Sequence, residues 1–144
     1  MIRARTFRVS DAELICPTAL DSQVRDNPQD WQPWAEINAS NPAVTVFVDD
    51  TIVFASGIRL GTHKDGTVGN IWTVLTPEAK KHKREVLIAE RLLAQLWIKG
   101  YNLKWLYSDS RKGFRESQTL LEHCGFTRTS IETKDYYIYK LGEN

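Results

Sequence analysis

The chain has 144 residues, of which 42% are hydrophobic and 26% charged, with 19 Lys plus Arg set against 18 Asp plus Glu for a net charge of +1. Those proportions suit one soluble domain with a single core, and they exclude a disordered chain or one coated throughout with cationic charge. No apolar run reaches the ~18 residues of a membrane span, and Met1 to Phe7 lacks the apolar stretch of a secretory signal, so the expectation is a cytoplasmic protein with no membrane partner.

Residues 2–8 alternate and begin with a β-branched residue, which predicts a first strand; Val9-Ser10-Asp11 then stops it and caps a helix. Residues 12–24 predict that helix, interrupted at Pro17, which suits a first turn better than an interior. Pro28, Pro33 and Pro42 break the next stretch into a loop holding a short helix, with Trp31, Trp34 and Ile37 at helical spacing. Residues 43–48 and 52–59 are β-branched runs around Asp49-Asp50-Thr51, the pattern of an antiparallel hairpin, and residues 68–75 predict a third strand of that kind. The period then changes. Thr76 suits an N-cap and Pro77 the first helical position, and Val86, Ala89, Leu92, Leu93, Leu96 and Trp97 recur at three and four as far as Gly100. Residues 103–108 predict a strand, 114–124 a helix stopped by Gly125, and 126–133 with 136–141 a closing hairpin around Lys134-Asp135.

Charge is balanced in total but not in place. Residues 11–50 carry eight acids against the single base Arg25, a net of −7, whereas residues 77–116 carry ten bases against five acids, a net of +5. Local clusters shape the surface potential, so one face is expected to attract cations and another anions. Cys16 and Cys124 are too few for a disulfide scaffold or a thiolate zinc site, and both are expected to be reduced and packed. Neither a catalytic triad nor a metal site is supported. No nucleic-acid-binding motif is present, and the acidic 11–50 segment would repel phosphate.

Three joints in this order carry a resemblance. Ile2-Arg3-Ala4-Arg5-Thr6 with Asp11 is similar to the first strand and first cap of the GNAT family of acyl-CoA N-acyltransferases. Leu75-Thr76-Pro77 resembles that family's Val-x-Pro at the end of the fourth strand, and Leu120 to Glu122 before Gly125-Phe126 resembles its closing Leu-Tyr-x-x-x-Gly-Phe. The likeness spans essentially the whole chain, and the basic run after Pro77 with the small size looks most like compact GNAT-like proteins of tailed phages, some of them virion components. The resemblance implies one GNAT-like domain over residues 1–144, of the α/β (α+β) class, with a mixed, mostly antiparallel sheet flanked by helices. It implies acetyl-CoA as co-substrate and N-acetylation of an amine acceptor, on a protein lysine or N-terminus or on a small molecule, in the cytoplasm or, for a phage-borne chain, the host's. The alternative is an inactive GNAT-shaped structural or partner-binding protein, such as a virion component.

The same resemblance places the parts of a site. Pantetheine would lie beside Thr73, Val74 and Leu75 where the fourth and fifth strands splay, with the thioester carbonyl polarised by an N–H near Val74 or Leu75. The pyrophosphate would meet the start of the following helix, at Lys80, Lys81, His82, Lys83 and Arg84. Here the sequence departs from the family: this stretch contains no glycine, and Lys83 and Glu85 stand where small residues are expected, so four cations must hold phosphate by charge, or the segment is a basic helix face or a polyanion contact. The frequent general-acid Tyr of the family is replaced by Leu121, which leaves Tyr107 and Ser108 as substitutes if they point into the cleft, although Tyr107 also suits a half-buried strand aromatic. No carboxylate lies in 68–75, so Asn70 is expected to orient a relaying water, with His63 a second candidate if it is not simply a solvated turn residue. His123 reads as a helix-end residue and Cys124 as core. Asp26, Asp30 and Glu36 beside Trp31 and Trp34 suit a cationic amine, although two Trp at helical spacing equally suit a core.

Overall fold

A computed structural model describes residues 1–64 and 66–142. Seven strands form one sheet in the order β1-β2-β3-β4-β5-β7-β6, the strands being β1 (Ile2–Thr6), β2 (Ala43–Val48), β3 (Thr51–His63), β4 (Gly66–Leu75), β5 (Trp105–Arg111), β6 (Thr127–Glu132) and β7 (Tyr136–Gly142). The helices are α1 (Ala12–Ile15), α2 (Ser22–Arg25), α3 (Trp31–Ala39), α4 (Lys83–Gly100) and α5 (Arg115–His123). The chain divides into two compact units, one of Met1–Arg59 with Trp72–Ala89, the other of Leu60–Ile71 with the chain from Glu90 onward. β3, β4 and α4 each pass from one unit to the other.

In the first unit β1 pairs antiparallel with β2 from Ile2↔Val48 to Thr6↔Val44, and β2 with β3 from Val48↔Thr51 to Ala43↔Gly57, so the expected hairpin turns on Asp49 and Asp50 alone. Asp49 takes the positive φ of 48° that so short a turn demands. Gly57 is required for a different reason: a Cβ there would lie 2.7 Å from the Trp72 ring and 2.8 Å from the Pro42 carbonyl. That space admits the edge-on trio of Phe7, Trp34 and Trp72, with centroids 4.9 to 5.6 Å apart. Around it pack Ile15, Cys16, Ala35, Ala55 and Val74.

The helical expectation for 12–24 is only partly met. Pro17 has no N–H to continue a helix, so α1 passes into a 3₁₀ turn, Cys16–Thr18, and a new helix α2 starts after Asp21, whose carboxylate accepts from the Gln23 N–H at 2.9 Å. Pro33 is tolerated inside α3 because it falls in the first turn, where an amide has no helical partner to lose. Asp11 does not cap the helix that follows it. Its carboxylate, 1% exposed, turns back to accept both guanidinium nitrogens of Arg5 at 2.8 Å, the Arg8 N–H at 2.9 Å and the Thr45 hydroxyl at 2.7 Å. Thr76 likewise does not use its side chain as a cap. Its hydroxyl reaches the carbonyls of Ile52 (2.8 Å) and Val53 (3.1 Å), and its N–H bonds the Val53 carbonyl at 3.1 Å. Held to β3 in this way, the chain turns through a 3₁₀ helix, Pro77–Lys81, and α4 begins only at Lys83, so the single helix expected from Pro77 is two.

In the second unit β5 pairs antiparallel with β7 from Trp105↔Gly142 to Arg111↔Tyr136, and β7 pairs with β6 across an irregularity between Arg128 and Glu132. β4 and β5 form the parallel pairs Gly69↔Leu106 and Asn70↔Tyr107. Leu106 and Tyr139 are buried at the centre of this unit, and Gly125, at φ +95°, ends α5 as expected.

The Asp11 cluster sets an acid limit on stability. Burial alone would raise the pKa of this carboxyl, but the Arg5 guanidinium, the Arg8 amide and the Thr45 hydroxyl outweigh burial and hold it below its usual value. A depressed folded pKa contributes stability that is complete above the unfolded carboxylate value, about pH 4, and is lost as pH falls through the folded value. Asp11→Ala is expected to cost about 2–4 kcal/mol at neutral pH. Urea unfolding of Asp11→Asn below about pH 4 should show a shallower loss of stability than the parent; an identical acid slope would contradict the assignment.

Candidate functional site

Strand alternation decides which amides of β4 are available to a ligand. Thr76 directs its N–H to β3, and the Trp72 carbonyl accepts from the Ser56 hydroxyl of β3 at 2.8 Å. Successive residues of a strand turn their main-chain groups to opposite sides, so Trp72 and Val74 face β3 while Thr73 and Leu75 present their N–H groups away from it. Of the amides near the expected carbonyl polariser, Val74 or Leu75, that of Val74 is turned to β3 and that of Leu75 is turned away from it, as is that of Thr73. Val74 instead buries its side chain in the core. The Leu75 carbonyl already accepts the Leu20 N–H at 3.0 Å, a contact from the loop before α2 that nothing in the sequence pattern signals. The Thr73 hydroxyl lies 3.0 Å from that of Ser56, so its side chain faces a β3 partner.

The same unit carries the basic segment. Lys80 and Lys81 close the 3₁₀ turn, His82 is half-buried at the junction with φ −130°, and Lys83 and Arg84 open α4 with their side chains exposed. Lys81 pairs with Glu78 at 3.1 Å. The Val86 N–H bonds the His82 carbonyl at 2.9 Å, so the amides of Lys83, Arg84 and Glu85 belong to the first turn, where the helix supplies no acceptor four residues back. Those donors, the helix dipole and the four cations together favour an anion. Among the described residues none from 76 to 85 has a positive φ, so the missing glycines are not needed for the backbone path.

The residues proposed for acceptor binding, Asp26, Asp30, Trp31, Trp34 and Glu36, also lie in this unit, and the structure separates them by role. Asp26 pairs with Arg25 at 3.2 Å, Glu36 accepts from Gln32 at 2.9 Å, and both are exposed, as is Asp30. The two indoles belong to the core: Trp34 is locked between Phe7 and Trp72, and the Trp31 Nε1–H donates to the Val24 carbonyl at 2.6 Å. The two rings therefore pack against the core, while the three carboxylates are exposed.

In the second unit Asn70 and Tyr107 are neighbours across the parallel ladder, both half-buried, with Lys140 opposite Tyr107 on β7. Ser108 does not join them. Adjacent strand residues point to opposite faces, and β5 shows it in burial: Leu106, Ser108 and Ser110 are buried, whereas Trp105, Tyr107 and Asp109 are not. Period two was visible in the sequence and would have parted Tyr107 from Ser108. Lys140 was missed because only the register with β7 brings it there. His63 is exposed and edge-on to Trp105 at 4.9 Å, and His123 is exposed in the last turn of α5. Leu121 is buried.

The sequence matches no protein-family model and no curated protein. In three dimensions the chain is similar to an acetyltransferase of the GNAT family from Bacillus anthracis, with a TM-score of 0.74 at 16% identity over 97% of this chain and 93% of that one. It is similar to the ribosomal-protein-S5-alanine acetyltransferase from Vibrio fischeri (TM-score 0.70, 15% identity, 97% and 92% covered). It also matches the Campylobacter jejuni N-acetyltransferase PseH in complex with acetyl coenzyme A (TM-score 0.65, 14% identity, all of both chains covered). The chain has the GNAT fold. Its mixed, mostly antiparallel sheet flanked by helices is the architecture that the three joints in the sequence implied.

Within this GNAT fold both thiols are free and buried. Burial pushes the Cys16 thiol up to about 11, and burial together with the Glu90 carboxylate pushes Cys124 up to about 12. Among the described residues no group of three or more His, Cys, Asp or Glu is placed to hold a metal, and no helix is long and apolar enough to cross a membrane. Iodoacetamide at neutral pH should leave both cysteines unmodified in the native protein and alkylate both in denaturant, as mass spectrometry would read; rapid native labelling of Cys124 would return it to the list of nucleophiles.

Proposed function

We propose that the chain is an acetyl-CoA-dependent N-acetyltransferase acting on the amine of a protein, a lysine side chain or an N-terminus. The observation that supports this reading most is the continuous path in one unit from the outward amides of Thr73 and Leu75, through the Thr76-Pro77 turn, to the first-turn amides of α4 among Lys80, Lys81, Lys83 and Arg84. Such a donor set suits a molecule whose amide-bearing arm ends in a pyrophosphate. Acetyl-CoA, when bound, supplies an acetyl thioester: a C–N bond to the amine forms, the C–S bond breaks, and the amine's proton is lost as the sulfur gains one.

The chain's own groups divide the remaining work. The Leu75 or Thr73 N–H donates to the developing oxyanion, where a fixed dipole is worth most. Tyr107 gives the proton to the departing sulfur and Asn70 orients the water that takes the proton from the amine, the two being ladder neighbours. Asp26, Asp30 and Glu36 draw the cationic form of the acceptor to the protein. The bacterial neighbour that acts on a ribosomal protein's alanine supports a protein amine as acceptor. The reading treats residues 1–144 as one acyltransferase domain. A second reading, a GNAT-shaped scaffold without turnover, is favoured by the buried Leu121 at the position of the family's acid and by the absence of glycine from 80–85.

Calorimetric titration separates the two. Acetyl-CoA is expected to bind with a salt-dependent affinity that Lys83→Ala with Arg84→Ala weakens roughly tenfold, the scale of a lost charge-assisted contact at an exposed site. No heat at about millimolar ligand, an affinity weaker than about −4 kcal/mol, would leave the scaffold reading. With a lysine peptide as acceptor, Tyr107→Phe should lower kcat about a hundredfold or more while acetyl-CoA affinity stays unchanged; full turnover by that variant removes Tyr107 as the proton donor.

A further inference from the structure

A row of polar side chains crosses the sheet of the second unit. Asn70 on β4 pairs with Tyr107 on β5, Tyr107 with Lys140 on β7, and Lys140 with Thr127 on β6. Residues paired in this way point to one face, so the four side chains stand side by side, about 5 Å from strand to strand. Asn70, Tyr107 and Lys140 are half-buried, and Thr127 is exposed. Among the described residues, none of these four side chains makes a hydrogen bond or an ion pair with the rest of the chain. Partly buried polar groups are ordinarily spoken for, so the row holds donor capacity that the fold itself does not use.

Lys140 carries the row's charge. Its Nζ lies 4.2 Å from the centroid of the Trp105 ring, two residues before Tyr107 and on the same face of β5. Gly142 stands opposite Trp105 and adds no side chain there; a Cβ would lie 3.1 Å from that of Trp105. The ring holds the ammonium in place without neutralising it. Lys112 differs, since it pairs with the Glu132 carboxylate. Asp109, the carboxylate on this face of β5, is exposed and stands one row away, opposite Ile138. A half-buried ammonium without a counter-ion, flanked by hydroxyl donors, favours an anion supplied from outside.

We propose that Lys140 selects an acceptor whose reacting amine stands beside a carboxylate. The proposal rests on the acetyltransferase reading, which puts the amine beside Asn70 and Tyr107. Lys140 is the next position along the row, so its chain starts about 5 Å from that of Tyr107. A peptide whose first residue is Asp or Glu carries a carboxylate within such a reach of its own α-amine, and so does a free amino acid. Thr127, on the far side of Lys140, adds a hydroxyl donor to the same carboxylate. The ammonium has a second effect: it disfavours a protonated amine nearby, and only the neutral amine attacks.

Paired acceptors test it on the full chain. With acetyl-CoA, a peptide beginning with Asp should show a kcat/KM about tenfold or more above the same peptide beginning with Asn, the scale of one charge-assisted contact. Alanine against alaninamide is the second pair; a preference there in place of the first puts the carboxylate on a free amino acid. Lys140→Met keeps a stem for the Trp105 ring but drops the charge, and it should equalise whichever pair the parent separates. Binding is read without turnover. The N-acetylated Asp peptide or N-acetylalanine should shift the amide resonances of Tyr107, Lys140 and Thr127 in the ¹⁵N-labelled parent, and neither should shift them in Lys140→Met. Those shifts without acetylation of any amine would overturn the acetyltransferase reading and leave the anion site standing. Equal kcat/KM within both pairs, a preference that Lys140→Met retains, or no shift with either probe overturns the proposal.

Discussion

The attachment of Thr76 to β3 is the contact on which the rest of the site depends. One residue spends both its hydroxyl and its N–H on the carbonyls of Ile52 and Val53, and two consequences follow from that. It sets the phase of β4, so Thr73 and Leu75, not Val74, turn their amides outward. It also prevents the chain from entering α4 directly, because a Thr facing back to the sheet cannot cap the helix ahead. The 3₁₀ turn that results places Lys80 and Lys81 before the first α-helical turn and Lys83 and Arg84 within it.

The missing glycines take on a different meaning against that geometry. In a loop that needs positive φ, Lys83 or Glu85 would be strained; in a 3₁₀-to-α junction with ordinary dihedrals both are unstrained, and the cation of Lys83 stands beside the amide donors. A phosphate held here meets side-chain cations as well as backbone, which ties affinity to ionic strength.

Much of this was legible in the sequence. The β-branched runs and the three-four period of Val86 to Trp97 marked strands and a helix because each reports a local rule that the tertiary structure keeps, while the joints at Leu75-Thr76-Pro77 and Gly125-Phe126 carried the resemblance that implied the fold. What they could not show were choices made by distant partners. Asp11 and Thr76 read as caps by residue type, yet one is claimed by Arg5 and Thr45 and the other by Ile52 and Val53. Trp31 and Trp34 suited both a pocket and a core; Phe7 and Trp72, far away in sequence, decided for the core. Tyr107 and Ser108 are a different case, since period two alone places them on opposite faces. Lys140 needed the register of β5 on β7.

The phase of β4 is open to direct observation by amide resonances. In a titration of the ¹⁵N-labelled protein with acetyl-CoA, the amides of Thr73, Leu75, Lys83, Arg84 and Glu85 should move most, while Val74 and Thr76, whose N–H groups face β3, should move least. Val74 and Thr76 shifting as far as their neighbours, or the largest changes falling outside these two stretches, would contradict the account.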